Sequence, residues 1–409
     1  METLGSLATY LESQLPAGLD ILRQMVAINS FTANPDGVNQ LGRLTAQTFA
    51  PLGFQQAEFV PSTNPAWGSH LALTRPGTAA TNIAMISHLD TVFPPEEEER
   101  NDFRWCQEGD RIFGPGTHDI KGGTVMMWLV LSALQACAPR VFEAITWKLI
   151  WNSSEESFSA DFEEVCRRRF DRDTRAALVF ESEGRAGKQS LLVVGRKGRG
   201  TWRITVKGRG AHAGGKHEHG ANAIVQLART LQSVAAVTDY SRELTVSVGT
   251  ISGGTVLNRV PHEAWAEGEF RAFSPEVFAQ CRSALLALSG PGQVSSPADG
   301  YPCQVQVEIL TETRPWPRNR GSDALFEVWQ RAGQETGFSV LPQERGGLSD
   351  GNLIWDAVPT LDGLGPWGDN DHCSERSQDG SKLPEFVEIS SFVPKAILNV
   401  SAILKLAGG

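Results

Sequence analysis

In residues 81–92 an apolar run ends at a histidine and an aspartate, His88 and Asp90, whose spacing suits metal chemistry. Side chains two residues apart on an extended strand point the same way, so Asp90 can lie behind His88 and orient its ring. A carboxylate that accepts a hydrogen bond from one imidazole nitrogen makes the other nitrogen a better metal ligand. The pair could equally be structural, so its interpretation depends on partners elsewhere in the chain.

A glycine-rich loop, residues 114–123, surrounds one further aspartate, Asp119. Glycine adopts positive φ and lets a backbone approach an ion closely, which would suit a metal ligand at Asp119. Asp119 could instead cap the helix predicted from Thr124, because aspartate is favoured just before a helix. The loop alone leaves both interpretations open.

Two further apolar runs end at acidic residues. Glu155 and Glu156 follow residues 144–152, and Glu181 ends the run at residues 176–180. Adjacent acids are costly to bury unless cations neutralise them, so one could bind metal while the other transfers protons. Ligands gather at the carboxyl edge of an open α/β sheet, which is where these acids would meet.

A late histidine, His372, lies in a polar loop before the last predicted helix. The residues around it show no apolar periodicity of the kind that accompanies core packing. This context favours a functional role for His372.

The pattern of apolar residues predicts an α/β fold with a large catalytic domain, in which helices flank a mixed central sheet, and a small inserted domain. From about Gly198 the pattern predicts the order β-α-β-β-α-β, a small α+β unit inserted in the larger domain. The predicted boundaries are residues 1–197 and 312–409 for the catalytic domain and 198–311 for the inserted unit.

Several local predictions concern helices. Two helices are expected over residues 3–28, separated at Pro16 and Gly18, and another over residues 39–50. The four glutamates at residues 96–99 are typical of a solvated loop.

Composition limits the classes of function. The chain has 409 residues, 41% apolar content, a formal net charge of −10 and a pI near 5.4. An acidic protein lacks the basic face that non-specific nucleic-acid binding requires. The six cysteines show no C-x-x-C spacing, which argues against a structural zinc site or a redox pair. The amino terminus lacks a signal-peptide pattern and no span of about 20 apolar residues is evident, so we predict a cytoplasmic protein without a membrane segment.

Taken together, the motifs resemble the dinuclear-zinc aminoacylase and carboxypeptidase family, which includes glutamate carboxypeptidase, acetylornithine deacetylase and succinyl-diaminopimelate desuccinylase. The likeness covers nearly the whole chain and is nearest to the glutamate carboxypeptidase branch. The motifs that carry it, in order, are His88-x-Asp90-Thr91-Val92, Gly116-x-x-Asp119-x-Lys121-Gly122-Gly123, Glu155-Glu156, Phe180-Glu181 and His372.

The resemblance implies two Zn²⁺ ions per subunit, for which Co²⁺ or Mn²⁺ could substitute. It also implies a non-proline cis peptide between Asp119 and Ile120. The implied ligands are Asp119 as the bridge, His88 and Glu181 at one ion, and Glu156 and His372 at the other.

The same resemblance assigns roles outside the ligand set. Glu155 would act as general base and acid, and Asp90 would support His88. The inserted unit at residues 198–311 would be a lid and dimerisation domain, and His212 would reach the partner's active site across a homodimer formed through this lid. The implied substrate is a small molecule or peptide with a free carboxylate. The positions that would contact it are Asn258, Arg271, Gly347 and, as an extra cation, Arg314.

The predicted activity is therefore hydrolysis of an amide bond in a peptidyl or N-acyl amino acid, in the manner of an exopeptidase or carboxypeptidase. An N-acyl amino acid deacylase of the same fold is the alternative. A serine hydrolase is a third possibility, because Gly347-x-Ser349-x-Gly351 fits the nucleophile-elbow pattern and His372 follows it. That elbow should come directly after a strand, whereas the polar sequence PQERGG precedes Ser349. A binding protein on an inactive scaffold would be expected to lack Glu155 or a ligand, and all are present.

Overall fold

The computed structural model describes residues 2–157 and 159–408 and divides into two compact units. Unit 1 consists of Met1–Val194, Arg318–Gln343 and Ser349–Gly409, and unit 2 of Gly195–Pro317 and Glu344–Leu348.

The α-helices are α1 (Glu2–Val26), α2 (Pro35–Phe49), α3 (Pro95–Arg100), α4 (Lys121–Cys137), α5 (Pro139–Ala144), α6 (Asp161–Arg167), α7 (Ala223–Ala235), α8 (Pro275–Leu286), α9 (Arg320–Thr336), α10 (Gly351–Ile354) and α11 (Phe392–Gly408). The β-strands are β1 (Ala57–Pro61), β2 (Ser69–Arg75), β3 (Asn82–His88), β4 (Cys106–Glu108), β5 (Arg111–Phe113), β6 (Thr146–Asn152), β7 (Thr174–Val179), β8 (Gly184–Ala186), β9 (Gln189–Arg196), β10 (Gly198–Lys207), β11 (Thr245–Gly253), β12 (Glu263–Ala272), β13 (Gly290–Ser295), β14 (Pro302–Thr313), β15 (Val340–Arg345), β16 (Thr360–Leu361), β17 (Gly368–Asp369) and β18 (Phe386–Glu388).

Unit 1 is built on a mixed sheet with strand order β1-β2-β6-β3-β7-β16. Strands β6, β3, β7 and β16 run parallel, while β1 and β2 are antiparallel to their neighbours. Every residue of β3 is buried, as expected of a central strand covered on both faces. The predicted α/β class with a mixed, helix-flanked central sheet is confirmed.

The register of the parallel strands brings their carboxyl ends to one edge. His88, the last residue of β3, pairs with Asn152, the last residue of β6. On the other side of β3, Ile86 pairs with Val179, the last residue of β7. Residues that follow β3, β6 and β7 therefore emerge side by side.

Helix α1 is continuous, so the prediction of two helices separated at Pro16 and Gly18 is wrong. Proline removes one helical hydrogen bond, but packing against α4 compensates. A Cβ atom at Gly18 would lie 3.3 Å from Val125 and 3.5 Å from Leu129, so the absence of a side chain lets α1 approach α4 closely.

The predicted acidic loop at residues 96–99 is wrong, because these residues form helix α3. Pro95 occupies the first turn, where its missing N–H has no helical partner, and the glutamates that follow interact favourably with the positive end of the helix dipole. Helix α2 also begins earlier than predicted, at Pro35, because the Asn34 side chain accepts a hydrogen bond from the N–H of Gly37.

The carboxyl-terminal stretch Ile389–Gly408 is long and apolar enough to cross a membrane by length and composition, contrary to the sequence prediction. Half of it is buried inside unit 1. A core helix passes the same test, and its side chains at Phe392, Ala396 and Val400 belong to the main hydrophobic cluster.

Unit 2 contains an antiparallel sheet with strand order β11-β12-β10-β14-β13. Alternate residues of β10 are buried, and its inward side chains Trp202, Ile204 and Val206 pack in one cluster with Leu227 of α7 and Leu285 of α8. The predicted order β-α-β-β-α-β omits β13, an edge strand whose glycines and proline give it little strand character in the sequence.

Candidate metal centre

The first candidate ligand group joins the ends of two strands to the glycine-rich loop. His88 Nε2 lies 2.9 Å from Asp119 Oδ1 and 3.7 Å from Glu181 Oε1. Asp119 is not a helix cap, because α4 begins at Lys121 without a side-chain cap. The peptide between Asp119 and Ile120 is cis, as the resemblance implies.

The second candidate group uses the other oxygen of the same aspartate. His372 Nε2 lies 3.5 Å from Asp119 Oδ2 and 3.1 Å from Glu156 Oε2. His372 has a positive φ of 60°, a left-handed backbone conformation that is uncommon for residues other than glycine. Within each group the possible ligand atoms all lie within 4.8 Å of one another.

The neutral tautomer of His88 suits metal binding. Its Nδ1 lies 3.0 Å from the carbonyl oxygen of Asp90, and a carbonyl can only accept, so Nδ1 carries the hydrogen. The lone pair of neutral His88 is therefore on Nε2, the atom that faces Asp119 and Glu181.

The donor set fits divalent cations. Imidazole nitrogen and carboxylate oxygen are ligands that Zn²⁺ and similar ions accept. In the part of the chain that the structure describes, Glu156 Oε1 is buried without a hydrogen-bond partner. Buried polar atoms normally have partners, and an ion beside Glu156 would supply one.

The pKa shifts in the two ligand groups also favour a site for cations. Burial, together with the nearby charge of Asp119, raises the pKa of Glu156 to about 7. Burial opposes ionisation of Asp119 too, but hydrogen bonds from His372 and His88 hold its pKa well below the usual range. The same contacts raise the pKa of His372 well above its usual value. Such a concentration of buried carboxylates is what bound divalent cations would neutralise.

Glu155 lies beside both groups, in the 3-10 turn Glu155–Ser157 that follows β6. Burial raises its pKa well above the usual value, although His88 opposes the rise, and the charges of Glu181, Asp350 and Glu156 add to it. A carboxyl group with a raised pKa is suited to accept and return a proton near neutral pH.

Asp90 has a wider structural role than the sequence predicts. Its backbone carbonyl, rather than its carboxylate, makes the shorter contact to the His88 ring, since Oδ1 is 3.4 Å from Nδ1. The carboxylate accepts hydrogen bonds from the N–H groups of Glu155 at 3.0 Å and Glu156 at 3.1 Å and from the Thr32 hydroxyl at 2.6 Å. Asp90 therefore links β3 to the segment that carries both glutamates.

The sequence predictions missed Glu385, which is fully buried. Its Oε1 accepts hydrogen bonds from the backbone N–H groups of His118 at 2.8 Å and Asp119 at 3.0 Å. Burial raises its pKa well above the usual value, and the charge of Asp119 adds to the effect. No local pattern could have revealed this residue, because it lies in a polar segment far along the chain from Asp119.

The predicted substrate residues lie in unit 2. Arg271 donates from Nε to Glu269 at 2.8 Å and from Nη1 to the carbonyl of Gly346 at 2.9 Å, which places it beside Gly347. The carbonyl of Asn258 accepts from the N–H of Ala213, next to His212. Arg314 is partly buried directly after β14.

His212 is exposed in unit 2. Its Nδ1 accepts hydrogen bonds from the N–H groups of Gly214 at 3.2 Å and Gly215 at 2.9 Å. These donors require a lone pair on Nδ1, so neutral His212 carries its hydrogen on Nε2 and can donate outward.

The serine alternative loses support from the contacts of Ser349. The premise that no strand precedes it is wrong, because β15 ends at Arg345. However, Ser349 is buried and its hydroxyl donates to Asp362 Oδ2 at 2.8 Å, while His372 contacts Asp119 and Glu156. Within the described residues, the two therefore do not form a nucleophile and base pair.

Comparisons with known proteins agree with this architecture. The family model described as the M20 peptidase dimerisation domain matches residues 194–290. The chain is 24% identical over 397 residues to carboxypeptidase G2 from Pseudomonas sp. (strain RS-16), covering 96% of this chain and 90% of that protein. It is 27% identical over 395 residues to succinyl-diaminopimelate desuccinylase from Bordetella petrii, covering 92% and 94%. Its fold is similar to that of an M20 family metallo-carboxypeptidase from Sulfolobus solfataricus, with a TM-score of 0.70 at 15% identity, covering 95% and 99%.

Proposed function

We propose that the chain is a metal-dependent amide hydrolase of the M20 family and that it releases a free amino acid from a peptidyl or N-acyl substrate. It is a hydrolytic enzyme. The proposal adds that two Zn²⁺ ions bind to the two ligand groups and that Glu155 transfers protons. The similarity to carboxypeptidase G2 along most of both chains favours an exopeptidase of the carboxypeptidase type.

One observation carries the proposal. Asp119 places one carboxylate oxygen in each of two His-containing ligand groups, with Glu155 beside both. Three protein ligands per ion leave coordination positions open for water and substrate, which is typical of catalytic zinc.

In the proposed reaction Glu155 would transfer protons and Asp90 would position the two glutamates. When bound, the ions would polarise the scissile carbonyl and lower the pKa of the attacking water. Glu155 would take the proton from that water and pass it to the leaving nitrogen, because its raised pKa lets it hold the proton between the two transfers. The Asp90 carboxylate would hold Glu155 and Glu156 in position by accepting hydrogen bonds from their backbone N–H groups.

His212 would act across a homodimer. The match to a peptidase dimerisation domain supports the assembly. Because the turn at Gly214 and Gly215 holds Nδ1 as an acceptor, Nε2–H is available to donate to the oxyanion in a partner's site.

The substrate would carry a free carboxylate. Arg271, Asn258, Gly347 and Arg314 remain the proposed contacts for it. Arg271 is paired with Glu269 in the present structure. Binding would therefore require the Arg271 guanidinium either to leave Glu269 for the substrate carboxylate or to contact both carboxylates at once. We also propose that the enzyme acts in the cytoplasm.

The test is a metal-depletion and substrate experiment. Protein treated with a chelator should lose amide hydrolysis and regain it when Zn²⁺, Co²⁺ or Mn²⁺ is added. A panel of dipeptides ending in glutamate, aspartate or a neutral residue, compared with N-acetyl and N-succinyl amino acids, would separate a carboxypeptidase from a deacylase. Full activity of metal-free protein would overturn the proposal. Activity that survives the chelator but is abolished by Ser349→Ala would support the serine mechanism instead.

A further inference from the structure

The segment of residues 153–156, which carries both central glutamates, is held at four consecutive backbone N–H groups by side chains. The acceptors are His70 Nδ1 for Ser153 at 3.1 Å, Asn152 Oδ1 for Ser154 at 3.0 Å, Asp90 Oδ1 for Glu155 at 3.0 Å and Asp90 Oδ2 for Glu156 at 3.1 Å. The N–H groups that open a helical turn have no partner within the turn, so outside acceptors decide where its backbone lies.

His70 is one of these acceptors and is itself fixed. It is fully buried in β2, and its Nε2 lies 3.3 Å from Asp161 Oδ2. Because a carboxylate only accepts, the hydrogen is on Nε2, and Nδ1 keeps the lone pair that accepts from Ser153. Asp161 is held in turn by the Ser62 hydroxyl and the N–H of Thr63.

Asn152 is fixed in the same manner. Its Nδ2 donates to Asp350 Oδ1 at 2.7 Å, and this contact determines which way the amide faces. Its Oδ1 is then directed to the N–H of Ser154 and the hydroxyl of Ser159. Both Asn152 and Asp350 are buried.

The geometry points to a positioning role for two buried pairs, His70 with Asp161 and Asn152 with Asp350, which set the backbone that carries Glu155 and Glu156. These four residues are positioning residues, because they act through the backbone of the 153–156 segment. The inference rests on the proposed function in that it makes Glu155 and Glu156 the groups whose placement matters. A displacement of about 1 Å at a reacting group can cost on the order of 100-fold in rate.

The decisive variants are at His70. His70→Leu removes both ring nitrogens, whereas His70→Asn restores an acceptor near the position of Nδ1. In the metal-loaded enzyme, we expect His70→Leu to lower kcat by about 10- to 100-fold with KM changed by less than about twofold, and His70→Asn to recover much of the loss. The matched control is Asn82→Leu, which breaks hydrogen bonds to Asp171 at the amino end of β3, away from the site.

A second readout does not depend on activity. Hydrogen–deuterium exchange, followed by mass spectrometry of peptides that cover residues 153–156, should be faster in His70→Leu and unchanged in Asn82→Leu. If His70→Leu does not fold, Asp161→Ala decides in the same two assays, because it removes the group that holds the His70 tautomer.

The outcomes separate this inference from the proposed function. Exchange that is faster only in the 153–156 segment supports the positioning role even if no amide substrate is cleaved. Unchanged exchange and kcat in His70→Leu would overturn it, as would an equal loss of kcat in the Asn82→Leu control.

Discussion

Replacement of Glu155 by glutamine is the sharpest test of the chemistry. The side chain keeps its shape, and the backbone N–H of residue 155 can still donate to Asp90 Oδ1. The neighbouring Glu156 and its contact with His372 are unaffected. Glu155→Gln should therefore retain its metal ions and its fold.

The expected loss of turnover follows from the surroundings of Glu155. Burial and the nearby acids Glu181 and Asp350 raise its pKa, so the wild-type carboxyl group is suited to proton transfer near neutral pH. General acid and base catalysis typically contributes about 10²- to 10⁴-fold. Since an amide cannot carry the proton in both steps, we expect kcat to fall by about 10³-fold, equivalent to about 4 kcal/mol.

The assay combines steady-state kinetics with metal analysis of the same preparation. Glu156→Gln is the matched control, because it makes the same chemical change at the adjacent residue and should lower metal content. If Glu155→Gln instead loses metal while Glu156→Gln keeps it, the roles of the two glutamates are reversed and the reasoning is refuted.

Three further predictions concern charge and assembly. Burial raises the pKa of Asp350 from 3.8 to about 7, so the metal-free protein should lose stability as pH rises from about 4 to 7. The free energy of unfolding of Asp350→Asn should then exceed that of the wild type by on the order of 4 kcal/mol at pH 8, and the two should be similar at pH 4. Urea denaturation with chelator present would measure this difference. Because Glu156, whose pKa is about 7, and His372, whose pKa is raised well above its usual value, must both lose a proton to bind metal, metal affinity measured by calorimetry should rise by at least about tenfold per pH unit below pH 7 and continue to rise above it. Mixing inactive His212→Ala with inactive Glu155→Gln should restore some activity once subunits exchange, and exchange without recovery would place His212 outside the partner's site.

The fold class and the gathering of candidate ligands were predictable from the sequence. Each of the three apolar runs ends at or just before His88, Glu155–Glu156 or Glu181, and parallel strands bring such residues to one edge by geometry alone. Asp119 and His372 required the resemblance, because a glycine-rich loop and a polar loop carry no periodic signal.

The residues that support the site were not predictable. Glu385 accepts from the N–H of Asp119 across 266 positions of sequence, and His70 accepts from Ser153 across 83. Contacts of this kind depend on the tertiary arrangement, for which local propensity provides no information. The same holds for α1, where packing of Gly18 on α4 outweighs the local effect of Pro16.

The central claim is that Asp119 is shared by two metal ions, and metal stoichiometry of purified variants tests it most directly. The two ligand groups predict two ions per chain in the wild type, one in His372→Ala and close to none in Asp119→Ala. Elemental analysis after dialysis against metal-free buffer would measure all three. If Asp119→Ala retained as many ions as the wild type, the claim would be contradicted.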